Sequence, residues 1–149
     1  MKNELTVLLA LQEVIITKLN DYLPEEGFPA ISEGNVLIDF PIVDQMPFKT
    51  MFYIQPDYAE FEGLTTSSDA SNFRISVFIV NKKDTKANLT ILNYGYYNAL
   101  CELLRSNRDL DGAVDFVDIE NVTFYPALEA NPGVRGAELS LAIRYTKDY

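Results

Sequence analysis

The chain has 149 residues and a formal net charge of −10, from 22 acidic and 12 basic side chains, with no histidine. This length fits one domain with a real core, and a hydrophobic content of 48% excludes global disorder. The acidic balance excludes a tight grip on nucleic acid, which needs a basic surface. A single cysteine excludes an internal disulfide, and no apolar run is long enough to span a membrane.

The first half of the chain predicts one helix and two strands. Apolar residues at helical spacing predict a helix over residues 4–23, with Asn3 as its cap and Pro24 as its stop. This helix is apolar on more than one side. Alternating apolar residues predict strands over residues 35–40 and 50–55.

Residues 56–70 form a polar and acidic segment that predicts a long loop or arm. Loops of about 15 residues in compact domains are usually either functional or disordered. Tyr58, Phe61 and Leu64 are large apolar residues that plain disorder does not require. A binding or assembly arm and a flexible loop therefore both stay open.

The second half predicts a strand over 72–81, a helix over 85–106 capped by Asp84, and strands over 119–125 and 137–145 after a turn at 131–133. Phe78 and Val80 lie on the less apolar side of the first of these strands, so we expect that side to be partly covered, by the first helix. Gly95 in the second helix predicts a close approach by another part of the chain. The helix should bury a stripe formed by Leu89, Leu92, Tyr96, Leu100 and Leu103.

The predicted element order is α-β-β-β-α-β-β. Strands in hairpin runs imply a mostly antiparallel sheet of four to five strands with two main helices packed on it. We therefore expect one α+β domain over residues 1–149, with the long loop or arm at about 56–70.

One segment has the spacing of a calcium-binding loop. Asn107, Asp109 and Asp111 offer oxygen ligands at alternate positions, Gly112 follows, and Asp118 stands at the last ligand position. Aspartate reaches less far than the usual glutamate there, and a strand follows where a helix is expected. The alternative is a polar turn that uses Asp and Gly for backbone reasons.

The side chains do not predict catalysis. Cys101 lacks a histidine to activate it and is expected to be a structural thiol. Carboxylate pairs are abundant, but nothing places two of them across a cleft. We expect no enzyme activity and no cofactor.

The expected outer side of the second helix indicates an interface. Ile91 and Tyr94 project away from the buried stripe, and Arg105 shares their side. Together with the broadly apolar first helix and the three apolar residues of segment 56–70, they favour self-association.

Four parts of the chain carry a resemblance: the start of the first helix, the strand over 72–81, the helix end over 99–104 and the closing strand over 136–145. In these the sequence resembles the tail-terminator and tail-completion (minor tail) proteins of tailed bacteriophages. The resemblance implies a small α+β protein without catalytic residues, forming a ring, often a hexamer, that terminates the tail tube and joins it to the head. It implies contacts with tail tube and neck proteins, a place in the virion tail, and synthesis in the bacterial host cytoplasm. An acidic bore would let DNA pass, and Glu60, Glu62 and Asp69 are the residues we expect to line it.

Two alternatives stay open. One is a head-tail neck protein of a phage or prophage. The other is a non-phage acidic protein-binding module, since residues 1–75 hold twelve acidic and four basic side chains and could meet a basic partner.

Overall fold

A computed structural model of the chain describes residues 2–83, 88–125 and 133–148. The elements are α1 (Glu4–Lys18), β1 (Val36–Leu37), β2 (Thr50–Gly63), β3 (Ser68–Lys82), α2 (Leu89–Ser106), β4 (Phe116–Tyr125) and β5 (Val134–Asp148). The sheet has the strand order β1-β2-β3-β5-β4, with β1 parallel to β2 and the other pairs antiparallel. The predicted α+β class and element order are confirmed.

Helix α1 begins as predicted and ends earlier. Asn3 Oδ1 accepts a hydrogen bond from the Thr6 backbone N–H at 3.0 Å, and the Thr6 hydroxyl oxygen accepts one from the Asn3 N–H at 2.9 Å. The α-helix stops at Lys18, and Leu19–Tyr22 form a 3₁₀ turn. The chain therefore leaves the α-helix before it reaches Pro24, the predicted stop, and only the 3₁₀ turn extends toward that residue.

Helix α2 begins at Leu89, and its cap is Asn88, whose Oδ1 accepts a hydrogen bond from the Ile91 N–H at 3.2 Å. The expected cap, Asp84, lies outside the described residues, as does most of the expected turn at 131–133. In the predicted stripe, Leu92 is half-buried and the other four residues are buried. Gly95 faces the ring of Phe28, so the predicted close approach is confirmed.

Both helices pack on one side of the sheet, which we call the helix face. The core there joins α1 and α2 to alternate residues of the strands, among them Phe52, Ile75 and Leu139. Full burial of each such side chain stabilises the fold by about 1.5–3 kcal/mol.

We call the opposite side of the sheet the open face. The residues that pack on it are not the ones we expected. Phe78 and Val80 do lie on it, but α1 does not cover them. Leu37, Val43 and Met46, from the connection between β1 and β2, pack there instead. The predicted strand over 35–40 is correspondingly reduced to Val36–Leu37, because this connection turns across the sheet.

The expected long loop at 56–70 is wrong: the segment is the end of a β-hairpin. Strand β2 continues to Gly63 and β3 begins at Ser68, so only residues 64–67 connect them. Pro56 lacks a backbone N–H donor, which disfavours it inside a central strand. It is tolerated because β1 pairs with β2 only at Phe52 and Tyr53, which leaves Pro56 on an edge strand.

Candidate interaction surfaces

Among the described residues, eleven large apolar side chains are exposed, and they fall into four groups. These are Leu5 and Leu9 on α1; Phe40, Ile42 and Phe48 in the β1–β2 connection; Tyr58, Phe61 and Leu64 in the hairpin; and Ile91, Tyr94 and Phe124 on α2 and β4. Clusters of exposed apolar side chains are typical of interaction sites, whereas single ones are normal.

The first predicted set lies at the end of the β2–β3 hairpin, which we call the hairpin tip (residues 58–64). Tyr58, Phe61 and Leu64 are 54%, 47% and 56% exposed. Tyr58 pairs with Arg74 on the open face, whereas Phe61 pairs with Ser71 on the helix face. The tip therefore presents aromatic side chains in two opposite directions, because positions three apart on a strand point to opposite sides.

Phe61 makes a cation–π contact near the N-terminus of α1. The Lys147 ammonium lies 5.0 Å from the centre of the Phe61 ring and 3.0 Å from a Glu4 carboxylate oxygen. Burial alone would raise the pKa of Glu4, but hydrogen bonds from the backbone and from Lys147 outweigh it and hold that pKa below its ordinary value. This contact links the hairpin tip to the first turn of α1.

The second predicted set forms what we call the α2–β4 patch: Ile91, Tyr94 and Phe124. The Tyr94 and Phe124 rings stack with centroids 5.9 Å apart, and Tyr97 packs edge-on against Phe124 at 5.1 Å. Arg105 is exposed farther along the same helix. Phe124 was not foreseen, although its alternation with Val122 would have placed it on the helix side of β4.

The open face is acidic over much of its area. Two β-bulges contribute to this, because Asp57 is the extra residue opposite β3 and Glu120 the extra residue opposite β5. Glu120 forms an ion pair with Arg74. Strand pairing also places Glu60, Glu62, Asp118, Glu138 and Asp148 on this face. Of the three residues expected to line a bore, Glu60 and Glu62 share the open face, whereas Asp69 pairs with Gly63 on the helix face.

Hydrogen bonds fix the acidic groups near the centre of the open face. The Tyr125 hydroxyl donates to Glu138 at 2.8 Å, and this bond to a carboxylate raises the pKa of Tyr125. The Ser76 hydroxyl lies 3.2 Å from carboxylate oxygens of both Asp57 and Glu138. A single hydroxyl thus bridges β2 and β5 across β3.

A groove of about 520 Å³ lies on the open face, beside the β1–β2 connection; we call it the back groove. Phe78, Val80 and Gly136 form its floor, and Phe40 and Val43 form one wall. Its lining is mostly apolar, and its volume falls in the range of roughly 300–1,000 Å³ typical of ligand pockets. Sequence reasoning did not predict this groove, because the connection was expected to be a strand and a short loop.

The calcium-like segment holds a cation supplied by the chain itself. The Lys18 ammonium lies 2.5 Å from Asp111 Oδ1 and 3.0 Å from Asn107 Oδ1. Asp118 lies in β4 on the open face. In residues 2–83, 88–125 and 133–148, no group of three His, Cys, Asp or Glu side chains could hold a metal ion. Two of the four predicted ligand side chains therefore already bind an ammonium group.

Cys101 is buried in α2, and burial raises the pKa of its thiol. A thiol in this environment stays protonated at neutral pH and is a poor nucleophile. The expectation of a structural thiol agrees with this position. Within the described residues, no helix is both long enough and apolar enough to cross a membrane.

No protein-family model matches the chain, and no curated protein matches it significantly. Among solved structures, it is similar to the sheath/tube terminator of an extracellular contractile injection system, PVC, in the extended state. The identity is 11% and the TM-score 0.46, over 100% of this chain and 58% of that one. The chain thus spans less than two thirds of the length of this distant structural neighbour.

Proposed function

We propose that the chain is a structural protein of a phage or prophage tail, and that copies of it form a ring that terminates the tail tube and joins it to the head. The observation that carries this proposal is the presence of two separate apolar surfaces, the hairpin tip and the α2–β4 patch. Rings form when each copy contacts the next through two different surfaces and the rotation closes.

The two surfaces lie at opposite corners of the sheet. Phe61 is level with Ser71 on β3, whereas Phe124 is level, through Ala137, with Ile79. Eight residues of strand, or about 26 Å, separate these two levels. At these levels β2 and β4 are the strands at the two opposite edges of the sheet. Such spacing leaves each copy free to contact a neighbour on either side.

The sequence resemblance supports the tail assignment. Two of the four parts that carry the resemblance, the strand over 72–81 and the closing strand over 136–145, form the adjacent strands β3 and β5. The other two parts lie in α1 and α2.

The proposal includes a non-catalytic role. The chain has no histidine, and its one thiol is buried with a raised pKa. The acidic open face would serve passage of DNA, since carboxylates repel phosphate and leave the duplex free to move. The partners would be further copies, tail tube subunits and neck proteins, and the protein would lie in the virion tail after synthesis in the host cytoplasm.

The acidic open face also favours a second candidate function. A non-phage binding module could use Glu60, Glu62 and Asp118 to meet a basic partner. A head-tail neck protein is a close variant of the first proposal, with the same surfaces and a different neighbour.

Oligomeric mass distinguishes the two classes. Native mass spectrometry over a range of concentrations, with negative-stain microscopy, should find rings of the often hexameric kind that the resemblance implies. If the chain stays monomeric, co-purification with tail tube subunits is the deciding measurement, because assembly on the tube would preserve the proposal. A monomer that does not bind tube subunits would contradict it and favour the binding module.

A further inference from the structure

We propose that Glu60 and Glu62 of one copy bind Arg105 and Arg108 of the next copy. This inference rests on the proposed ring function and deepens it, because it names the side chains that join neighbouring copies. Arg105 and Arg108 line a cleft of about 160 Å³ between the C-terminal end of α2 and the start of β4, which we call the arginine cleft. Glu60 and Glu62 belong to the hairpin tip, on the part of β2 beyond its pairing with β1.

The two arginines form no ion pair within the part of the chain that the structure describes. The ion pairs there use Lys18, Arg74 and Lys147 as the basic partners. Asp118 also lines the cleft, but it belongs to the open face of β4 and points away from α2. Guanidinium groups bind carboxylates through strong, directional hydrogen bonds, so two exposed arginines three positions apart favour an acidic partner.

The hairpin tip supplies the complementary charge. Glu60 and Glu62 are exposed on the open face, and neither takes part in an ion pair with another described residue. Together with Asp115 and Arg144 they line a depression of about 380 Å³. Three carboxylates against one guanidinium make this surface negative, so it is attracted to the unpaired arginines of another copy.

The two charged sites lie at the same level along the strands. The Val117 N–H donates to the Arg108 carbonyl at 2.7 Å, so Arg108 lies beside β4. Val117 is level, across β5 and β3, with Ala59, the neighbour of Glu60. Three strand spacings of about 4.8 Å, or about 14 Å, separate β2 from β4. The sites therefore lie at opposite edges of the sheet and do not meet within one chain.

The faces on which the sites lie allow neighbouring copies to overlap. Glu60 and Glu62 are on the open face at the β2 edge, whereas the arginine cleft is on the helix face at the β4 edge. A copy displaced sideways without turning over therefore places the open face of its tip on the cleft of its neighbour. This contact is head-to-tail, and it repeats until the rotation between copies closes a ring. Overlap needs no pairing of sheet edges, which the bulges in β2 and β4 oppose.

The test exchanges the charges of the two sites. Arg105→Glu with Arg108→Glu makes the cleft acidic, and Glu60→Lys with Glu62→Lys makes the tip basic. Each double variant alone should raise the dissociation constant for self-association at least about tenfold, because like charges then meet. A one-to-one mixture of the two variants should associate again in alternating copies, since basic tips meet acidic clefts and unchanged tips meet unchanged clefts.

Lys49→Glu with Lys83→Glu is the matched control. It makes the same change in net charge as the cleft variant, at exposed positions near the other end of the sheet, and should assemble as the unchanged chain does. Circular dichroism confirms that each variant is folded. Higher ionic strength should weaken association of the unchanged chain, because salt screens exposed charges.

Assembly of both charge variants like the unchanged chain would overturn the pairing and leave the ring proposal standing. A mixture that fails to associate would also overturn the pairing. Normal rings of the cleft variant that no longer bind tail tube subunits would overturn it and assign the arginine cleft to the tube. A chain that stays monomeric up to millimolar concentration overturns the pairing as well, and binding to tail tube subunits then decides the proposed function separately.

Discussion

Gly95 in α2 lies directly beneath the ring of Phe28, so close that a Cβ atom on Gly95 would be 2.1 Å from Phe28 Cε1. Phe28 in turn packs edge-on against Tyr96, with ring centres 5.6 Å apart. Because glycine has no side chain, the connection after α1 can pack closely against α2 at this point.

Gly95→Ala should therefore destabilise the fold. Alanine favours the helix by about 1 kcal/mol, but displacement of the Phe28 ring from a packed site costs about 1–3 kcal/mol. In a Phe28→Ala background the clash is absent, and the same substitution should become stabilising. Urea denaturation of the four variants of this cycle measures the sign change; equal effects in both backgrounds would contradict the contact.

A buried amide network should be costly to break. Asn81 Nδ2 donates to Asn93 Oδ1 at 3.2 Å, and Asn93 Nδ2 donates to the Gly136 carbonyl at 3.1 Å. Asn93→Ala leaves both partners unsatisfied in the core, so we expect a loss of about 1–3 kcal/mol in the free energy of unfolding. Asn98→Ala, on the exposed side of the same helix, is the control and should change stability by a few tenths of a kcal/mol at most.

Acid should weaken the contact between Glu4 and Lys147. Because the pKa of Glu4 is lowered in the folded chain, its contribution is complete above the unfolded value of about 4.5 and is lost as pH falls through the folded pKa. Glu4→Gln should reduce stability at neutral pH by up to about 1 kcal/mol and converge with the unchanged chain at low pH. Thermal melting across the acid range measures this, and a constant difference at all pH values would argue against it.

Calcium should not stabilise the segment around Asn107 and Asp111. The Lys18 ammonium already contacts both side chains, so a divalent ion would have to displace it. We expect the same melting temperature with millimolar calcium and with a chelator. A calcium-dependent rise in the melting temperature would revive the metal site, and Asp111→Asn would then be expected to abolish that rise.

Loss of the two hairpin aromatic residues should weaken assembly without unfolding the chain. Tyr58 and Phe61 are about half exposed, so Tyr58→Ser combined with Phe61→Ser removes little core packing. Native mass spectrometry should show a smaller assembled fraction, with a circular dichroism spectrum like that of the unchanged chain. The double variant Glu25→Ser and Glu26→Ser, at exposed polar positions outside the four apolar groups, is the control and should assemble as the unchanged chain does. Unaltered assembly of the aromatic variant would remove the tip from the interface.

Local rules predicted the helices and the central strands well. Asn3 and the buried stripe of α2 follow from capping and helical spacing, which depend on neighbouring residues only. The full length of β2 was not predicted. Proline is disfavoured within a central strand but tolerated in an edge strand, and the sequence alone does not say which strand lies at an edge.

Long-range partners explain what else the sequence missed. Exposure of Ile91 and Tyr94 was foreseen from helical spacing, but their stacking partner Phe124 lies in another element. Lys18 reaches Asp111 across 93 positions, so nothing local indicated that it would use the oxygens of the calcium-like segment. The back groove depends likewise on where residues 37–46 cross the sheet.

The bulges at Asp57 and Glu120 affect how readily the chain aggregates in solution. A β-sheet with an unpaired edge can add strands from other chains, and unlimited addition of strands forms a fibril. Here β2 and β4 break their regular spacing, and Asp57 places negative charge at the break in β2, so the addition of further strands is opposed at neutral pH. Assemblies of this chain should accordingly be bounded and reversible, held by side chains that dilution can separate.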